Sequence, residues 1–469
     1  MASNSSGRTS RLALGVSGQA FARAVASLNT LALVPILISA WGLGGYGEWV
    51  ALTAVASYLS YSNFGLITTS AYEVVMAAGA NDYVRAGRAF QMTINLVLFV
   101  VLPVILLLLA ALLSLPLTQM LKLNNITHVA TVLIIALVAL QIWVQALRGA
   151  LAAALYAAGS YGFCYYVAGF AKLIELASIA IAIIYFRGTQ VSAAGIMSIC
   201  AFFDALVVWL YARRAAPWAK VDLKTFDLKW VKSQIRPTIG LLLSTFANQG
   251  ILVQGPRIAL SALLSPAAVG LYSVYATAVR SIDQFVLMFA MPLGLEVANA
   301  AGSESSDTLY RMVTGGTRVA IAIFCVVASV LLLSGAIVFR LWTHGTVEFN
   351  FKLAVVYLIV SGFIQWGRTS WIALVSTNKL YGISFVTATV ALVAVVMGGF
   401  LAVRIGVLGM VIGTGLGEMV NAILLTVLVS GWLGRSYSTF FVDALDIGAA
   451  IVDLRKRLRS LLERRGFAI

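Results

Sequence analysis

The chain has 469 residues, 61% of them hydrophobic and only 10% charged, with a mean hydropathy of +0.97. A soluble domain carries about 25% charged residues, so this composition defines an integral membrane protein. It excludes a soluble enzyme and, despite the net charge of +15, a nucleic-acid binder. Successive apolar runs long enough to cross a bilayer as helices exclude a β-barrel of short alternating strands.

The Ser-rich start, Met1 to Ser10, leads into an apolar run too long for a signal peptide, which is expected to remain as the first span. Twelve spans are predicted. The first six lie at 13–39, 48–76, 91–114, 128–150, 162–186 and 191–212, the second six at 238–262, 269–297, 317–341, 352–376, 381–403 and 407–432. Between the halves runs the basic stretch Arg213, Arg214, Lys220, Lys224, Lys229, Lys232 and Arg236, which is poorly translocated and belongs in the cytoplasm. With both termini inside, cytoplasmic segments hold 21 of the 32 Lys and Arg, outer segments five, and spans or their ends six. Beyond Gly434, Leu454 to Arg465 alternates leucine and arginine as an amphipathic helix on an anionic leaflet would; a solvated basic tail is the alternative.

The halves echo each other. Gly44-Gly45-Tyr46-Gly47-Glu48-Trp49 corresponds to Ala267-Ala268-Val269-Gly270-Leu271-Tyr272, and Asn81-Asp82-Tyr83-Val84-Arg85 to Ser306-Asp307-Thr308-Leu309-Tyr310-Arg311. Six spans per half is an even number, so the repeats are parallel. The expected fold is an all-α polytopic membrane protein of about 12 transmembrane helices, in two parallel six-helix repeats forming two lobes around a central cavity. The expected units are an N-terminal lobe (1–212), a linker (213–236), a C-terminal lobe (237–433) and a basic tail (434–469).

Polar side chains within spans point to a cavity or a helix interface. Gln19, Arg23, Ser27 and Thr30 share one face of span one; Asn248, Gln249 and Arg257 lie on span seven; Arg280 and Asp283 lie on span eight. Spans one, two, seven and eight are therefore expected to line the cavity. Arg23, Arg257 and Arg280, with Gln19, Asn248 and Gln249, are its candidate binding residues, since a guanidinium suits phosphate oxygens. Against this, Arg280 could pair with Asp283 or Gln284, and Arg257 could snorkel to the surface. Glu73, Asp204, Asp283 and Glu418 are candidates for coupling-ion binding or gating, with helix–helix hydrogen bonding the alternative for Asp204 and Glu418. Lys172 and Glu175, three apart, read as a structural ion pair, and Arg368 belongs to this second polar set. Pro35, Pro103, Pro256 and Pro292 each remove a helix hydrogen bond and permit bending. Cys164, Cys200 and Cys325 fall in apolar runs, and His128 and His344 stand far apart, so no metal, cofactor or catalytic residue is expected.

Trp41-Gly42-Leu43-Gly44-Gly45-Tyr46-Gly47-Glu48-Trp49, followed by Tyr58-Leu59-Ser60, Asn63-Phe64-Gly65-Leu66 and the turn Asn81 to Arg88, together with Leu264-Ser265-Pro266-Ala267-Ala268-Val269-Gly270-Leu271-Tyr272, resembles the polysaccharide-type (Wzx-like) flippases of the multidrug/oligosaccharidyl-lipid/polysaccharide (MOP) exporter superfamily. The resemblance implies a bacterial inner-membrane transporter, not an enzyme, that turns undecaprenyl-pyrophosphate-linked oligosaccharides to the periplasmic leaflet by alternating access, for O-antigen or exopolysaccharide synthesis. It implies a polysaccharide polymerase and glycosyltransferases as partners, with anionic lipids at the basic loop and tail and no nucleic acid. A multidrug/cation antiporter of the same superfamily and a major-facilitator transporter are the alternatives. A membrane glycosyltransferase or polymerase is disfavoured by outer loops that are short and carry no acidic cluster.

Overall fold

The computed structural model describes residues 3–63, 66–222, 242–300, 306–377 and 381–446, and among these every regular element is helical. In the first half α1 (Ser3–Ser57) is followed by a 3-10 turn (Tyr58–Asn63), α2 (Leu66–Gly79) and α3 (Tyr83–Leu96). Then come a π turn (Val97–Val101), α4 (Leu102–Leu113), α5 (Leu117–Met120), α6 (His128–Ala157), α7 (Tyr161–Phe186) and α8 (Gln190–Ala215). In the second half a π stretch (Phe246–Gln254) runs into α9 (Gly255–Leu263). It is followed by α10 (Pro266–Ala300), α11 (Ser306–Trp342), α12 (Phe351–Ser376), α13 (Tyr381–Ile405), α14 (Val407–Trp432) and the short α15 (Tyr437–Leu445). Lys224 to Arg236 of the basic linker, Lys379, and the amphipathic segment 454–465 lie outside the described residues.

These elements make twelve spans in two parallel six-helix repeats. Spans one and two are the limbs of α1, which reverses at Gly42 (φ 69°, ψ 173°), a conformation a side chain would strain. Span two is not one continuous helix, because the 3-10 turn interrupts it before α2. Pro103 and Pro256 each stand in the first turn of a helix that follows a π segment. A proline lacks the N–H that an α-turn needs, and a widened π turn just before it absorbs the mismatch. Asp82, Thr127, Asn350 and Ser436 cap α3, α6, α12 and α15 by accepting a backbone N–H.

Eight stretches of the described residues are long and apolar enough to cross a membrane, consistent with a multi-pass membrane protein. Pro266–Ala300 and Phe351–Ser376 are not among them. These two spans carry Arg280, Asp283, Gln365 and Arg368, whose polarity lowers their membrane signal.

The two repeats meet at the end of the molecule that carries Gly42. A Cβ on Gly47 would strike the backbone of Pro266, and one on Gly270 would strike the carbonyl of Leu43. The two turns that the sequence pairs as repeat equivalents thus pack against each other. Around them, Lys122 donates to the carbonyl of Leu263 at 3.1 Å, and the Trp342 indole donates to the carbonyl of Leu31 at 2.8 Å. Glu48, fully buried, accepts from the backbone N–H groups of Asn124 (2.8 Å) and Asn125 (2.9 Å), which fixes the loop between α5 and α6. A hydrophobic core containing Ile38, Leu52, Leu260 and Tyr275 crosses this junction.

Candidate substrate cavity

A cavity of about 440 Å³ lies in the second repeat. The π stretch brings Asn248 and Gln249 to it, α10 brings Arg280 and Asp283, α12 Arg368 and Trp371, and α14 Glu418 and Asn421. The extra residue of a π turn rotates the side chains around it, which is how two neighbouring amides of span seven reach one space. A smaller chamber of about 60 Å³, lined by Tyr272, Tyr357 and Thr414, shares Arg280, Asp283 and Glu418 with it.

Asp283 is held from three sides. The Ser361 hydroxyl donates to it at 3.2 Å, the Gln365 amide donates to it, and Arg368 lies 3.7 Å away. The pairing expected within one helix, Arg280 with Asp283, is replaced by this bridge between α10 and α12. Among the described residues Arg280 and Glu418 make no hydrogen bond or ion pair, and the Arg368 Nε and Asn421 Oδ1 atoms are buried without a partner. The cavity wall thus offers two guanidinium groups, a carboxylate and amides, with donors and acceptors both left open.

The remaining candidates fall elsewhere. Spans one and two contribute nothing to this lining, contrary to the expectation that they share it. Span one packs instead along α7, where Gly18 and Gly169 allow close approach to Tyr165 and Phe21. Arg23 is half-buried and Gln19 exposed. Arg257 is not at the surface: it donates to Gln254 at 2.9 Å and its Nε is buried. Asp204 accepts from Arg148 Nε at 2.9 Å, and Arg148 is only 17% exposed. Glu73 lies 3.7 Å from Arg85 at the opposite end from Gly42. The Lys172–Glu175 pair is present at 2.8 Å and is joined by the Asn29 amide.

Arg368 as a cavity residue, the Asp283 partners Gln365 and Ser361, and the lining residue Asn421 were not assigned from sequence. A signal exists: Gln145-x-x-Arg148, with Tyr161-Gly162 beyond, reappears 220 residues on as Gln365-x-x-Arg368 with Tyr381-Gly382.

No protein-family model and no curated protein matches the sequence. Solved structures do share its architecture. An inward-facing multidrug-resistance MATE transporter of the MOP superfamily aligns with a TM-score of 0.66 at 14% identity, over 90% of this chain and 97% of that one. The lipid II flippase MurJ in an inward closed conformation aligns with a TM-score of 0.66 at 10% identity, over 92% and 90%. A MOP-superfamily transporter from Pyrococcus furiosus aligns with a TM-score of 0.54 at 15% identity, over 90% and 94%. The class is therefore an all-α, two-lobed fold that these solved transporters share. More particularly, it is a fold seen in solved transporters of the MOP superfamily.

Proposed function

We propose that this chain flips undecaprenyl-pyrophosphate-linked oligosaccharide repeat units from the cytoplasmic to the periplasmic leaflet by alternating access, for O-antigen or exopolysaccharide synthesis. Carrying glycan hydroxyls through hydrocarbon unaided would strip each of its water partners, and a polar cavity removes that barrier. The observation that carries the reading is Arg280, a permanent cation on a membrane-embedded cavity wall with no counter-ion in contact among the described residues. Such a charge is costly unless an anion completes the site, and its planar fork suits a diphosphate.

Two further points support it. The fold is shared with a lipid II flippase. With both termini cytoplasmic in a bacterial inner membrane, the closed Gly42 end faces the periplasm, as a carrier waiting for a cytoplasmic substrate requires. In this reading residues 1–212 and 237–433 are the lobes, Arg23 and Gln19 face the cleft between them, and the basic linker and tail engage anionic lipid. Asp283 and Glu418 are the candidates for a coupling ion in this reading. They also support a second reading, a cation antiporter, for which the MATE neighbours provide the fold.

The test uses purified protein in proteoliposomes. Arg280→Ala is expected to slow flipping of a fluorescent polyprenyl-diphosphate oligosaccharide by about ten- to a hundredfold, the worth of a lost charge-assisted hydrogen bond. Arg280→Lys is expected to recover part of that loss. Uptake of a lipophilic cation by the wild type, with no flipping of the glycolipid, would replace this reading with the antiporter.

A further inference from the structure

The last span of each lobe is followed by a segment that turns back onto the third span of the same lobe. In the first lobe the chain leaving α8 brings the Trp218 ring to 6.0 Å from that of Tyr83, and the Asp222 carbonyl accepts from the buried Asn95 amide of α3 at 3.0 Å. In the second lobe the chain leaving α14 forms α15. The Tyr310 hydroxyl of α11 donates to the Asp443 carboxylate at 2.7 Å, and Arg318 of α11 donates to the Asp443 carbonyl. Arg435, just before α15, pairs with Asp307 at 3.0 Å. Two unrelated segments thus make the same tie, a donor on the third span held to a carbonyl of the exit segment.

These contacts give α15 a depth. At its start, Arg435 and Asp307 form an exposed ion pair beside the first turn of α11. Near its end, Asp443 meets Arg318, which stands immediately before Val319 to Val338, a stretch of α11 without a charged residue. α15 therefore runs from the aqueous surface to the edge of the hydrocarbon. Phe440 and Ala444 are buried against the bundle. Phe441, Val442 and Leu445 form a second stripe, 45%, 66% and 44% exposed, on the outer side. A helix that is apolar on both sides calls for cover on both.

The nature of that cover follows from depth and from charge. Residues 447–469, next in the chain, carry Arg455, Lys456, Arg457, Arg459, Arg464 and Arg465 against Asp453 and Glu463. Cations beside an apolar stripe are the combination that holds a helix in an anionic headgroup layer. A soluble acidic protein would satisfy the cations and leave Val442 and Leu445 in water. A second copy of the chain would bring like charge against like.

We propose that α15 is a membrane-surface foot. Its outer stripe enters the boundary of an anionic leaflet, the basic residues beyond it draw it there, and Asp443 passes the hold to α11 through Tyr310 and Arg318. The proposal takes from the flippase reading only that the basic tail meets anionic lipid. It adds the helix that is seated and the contacts through which the bilayer grips the second lobe.

The experiment places a nitroxide spin label on Val442→Cys in the purified full-length protein, with the exposed Cys325 replaced by alanine. The protein is reconstituted in vesicles of phosphatidylcholine, alone or mixed with phosphatidylglycerol. A label on Thr346→Cys, an exposed residue in the loop between α11 and α12, is the water-facing control. Collision with oxygen, which concentrates in lipid, is measured against collision with a neutral nickel chelate, which stays in water. In mixed vesicles the Val442 label is expected to meet oxygen and be shielded from nickel, with the reverse at Thr346. Neutral vesicles, or glutamine at Arg455, Lys456, Arg457 and Arg459, are expected to lower the oxygen-to-nickel ratio at Val442 by about twofold or more. A Val442 label as open to nickel as Thr346 in mixed vesicles puts the stripe in water and overturns the proposal. A high ratio that is the same in both vesicle types and survives the glutamine substitutions removes the anionic partner and overturns it as well. Shielding from both reagents, with cross-linking between chains at Val442→Cys, replaces the bilayer with a second copy. None of these readouts requires transport, so absence of flipping leaves them standing, and their failure leaves the flippase reading standing.

Discussion

Arg148 and Arg368 stand 220 residues apart at one place in the repeat, and only Arg148 meets an acid from the last span of its own lobe. Asp204 meets it from α8, whereas Arg368 reaches across to Asp283 on α10. The repeat fixes the position of the arginine, and the side chains around each copy decide its partner.

The Arg148–Asp204 pair gives the first prediction. Removing one partner leaves a buried charge uncompensated, which costs ~3–5 kcal/mol, while replacing both by apolar residues is close to neutral. Arg148→Met and Asp204→Leu should each lower the thermal midpoint in detergent, and the double variant should recover most of the loss. Additive losses in the double variant would show that the two side chains act independently.

The Gly47–Gly270 contact between repeats gives the second. A methyl group at either position meets backbone, which cannot swing aside as a side chain can. Gly47→Ala and Gly270→Ala should therefore hold the Gly42 end open. Cross-linking between cysteines placed at Leu121 and Ser261, where the Ser261 hydroxyl donates to the Leu121 carbonyl across the junction, reports it. Gly195→Ala, with open space around the new methyl, should cross-link as the wild type does.

Glu48 acts on a loop rather than on a helix. Losing its carboxylate leaves the Asn124 and Asn125 N–H groups without their acceptor, at ~1–3 kcal/mol. Glu48→Ala should raise amide hydrogen exchange at Asn124 and Asn125 by about ten- to a hundredfold. Glu48→Gln keeps a carbonyl acceptor and should raise it much less. Unchanged exchange in Glu48→Ala would mean that the loop is held by Lys122 and its neighbours instead.

The last described helix should detach when its anchor is cut. Phe440 of α15 is fully buried against Tyr310 and Trp366, and the Tyr310 hydroxyl donates to Asp443 at 2.7 Å. Phe440→Ala should cost ~3–5 kcal/mol of docking and expose the Arg435 bond to trypsin, while Tyr310→Phe should have a smaller effect. A digestion pattern identical to that of the wild type would show that α15 is held by other contacts.

Much of the fold was legible because a bilayer constrains sequence severely. Span count, parallel repeats and the Lys172–Glu175 pair follow from apolar length, the even number of spans and helical spacing. The breaks were less legible: Pro103 and Pro256 marked bends, but only the structure shows the π segments that precede them and turn Asn248 and Gln249 toward the cavity. The site was half legible. Arg280, Asp283, Asn248, Gln249 and Glu418 were named from polarity within spans and do converge. Arg23, Gln19, Arg257, Asp204 and Glu73 were named on the same grounds and stand elsewhere.

The sequence alone determined that the chain is a multi-pass helical membrane protein with an internal duplication, because hydrophobic length and periodicity are local properties that no partner helix can change. Only the tertiary structure decided which buried charges neutralise one another and which remain open to a ligand. That depends on which helix faces which, and an ion pair forms between residues such as Arg148 and Asp204 that lie far apart along the chain.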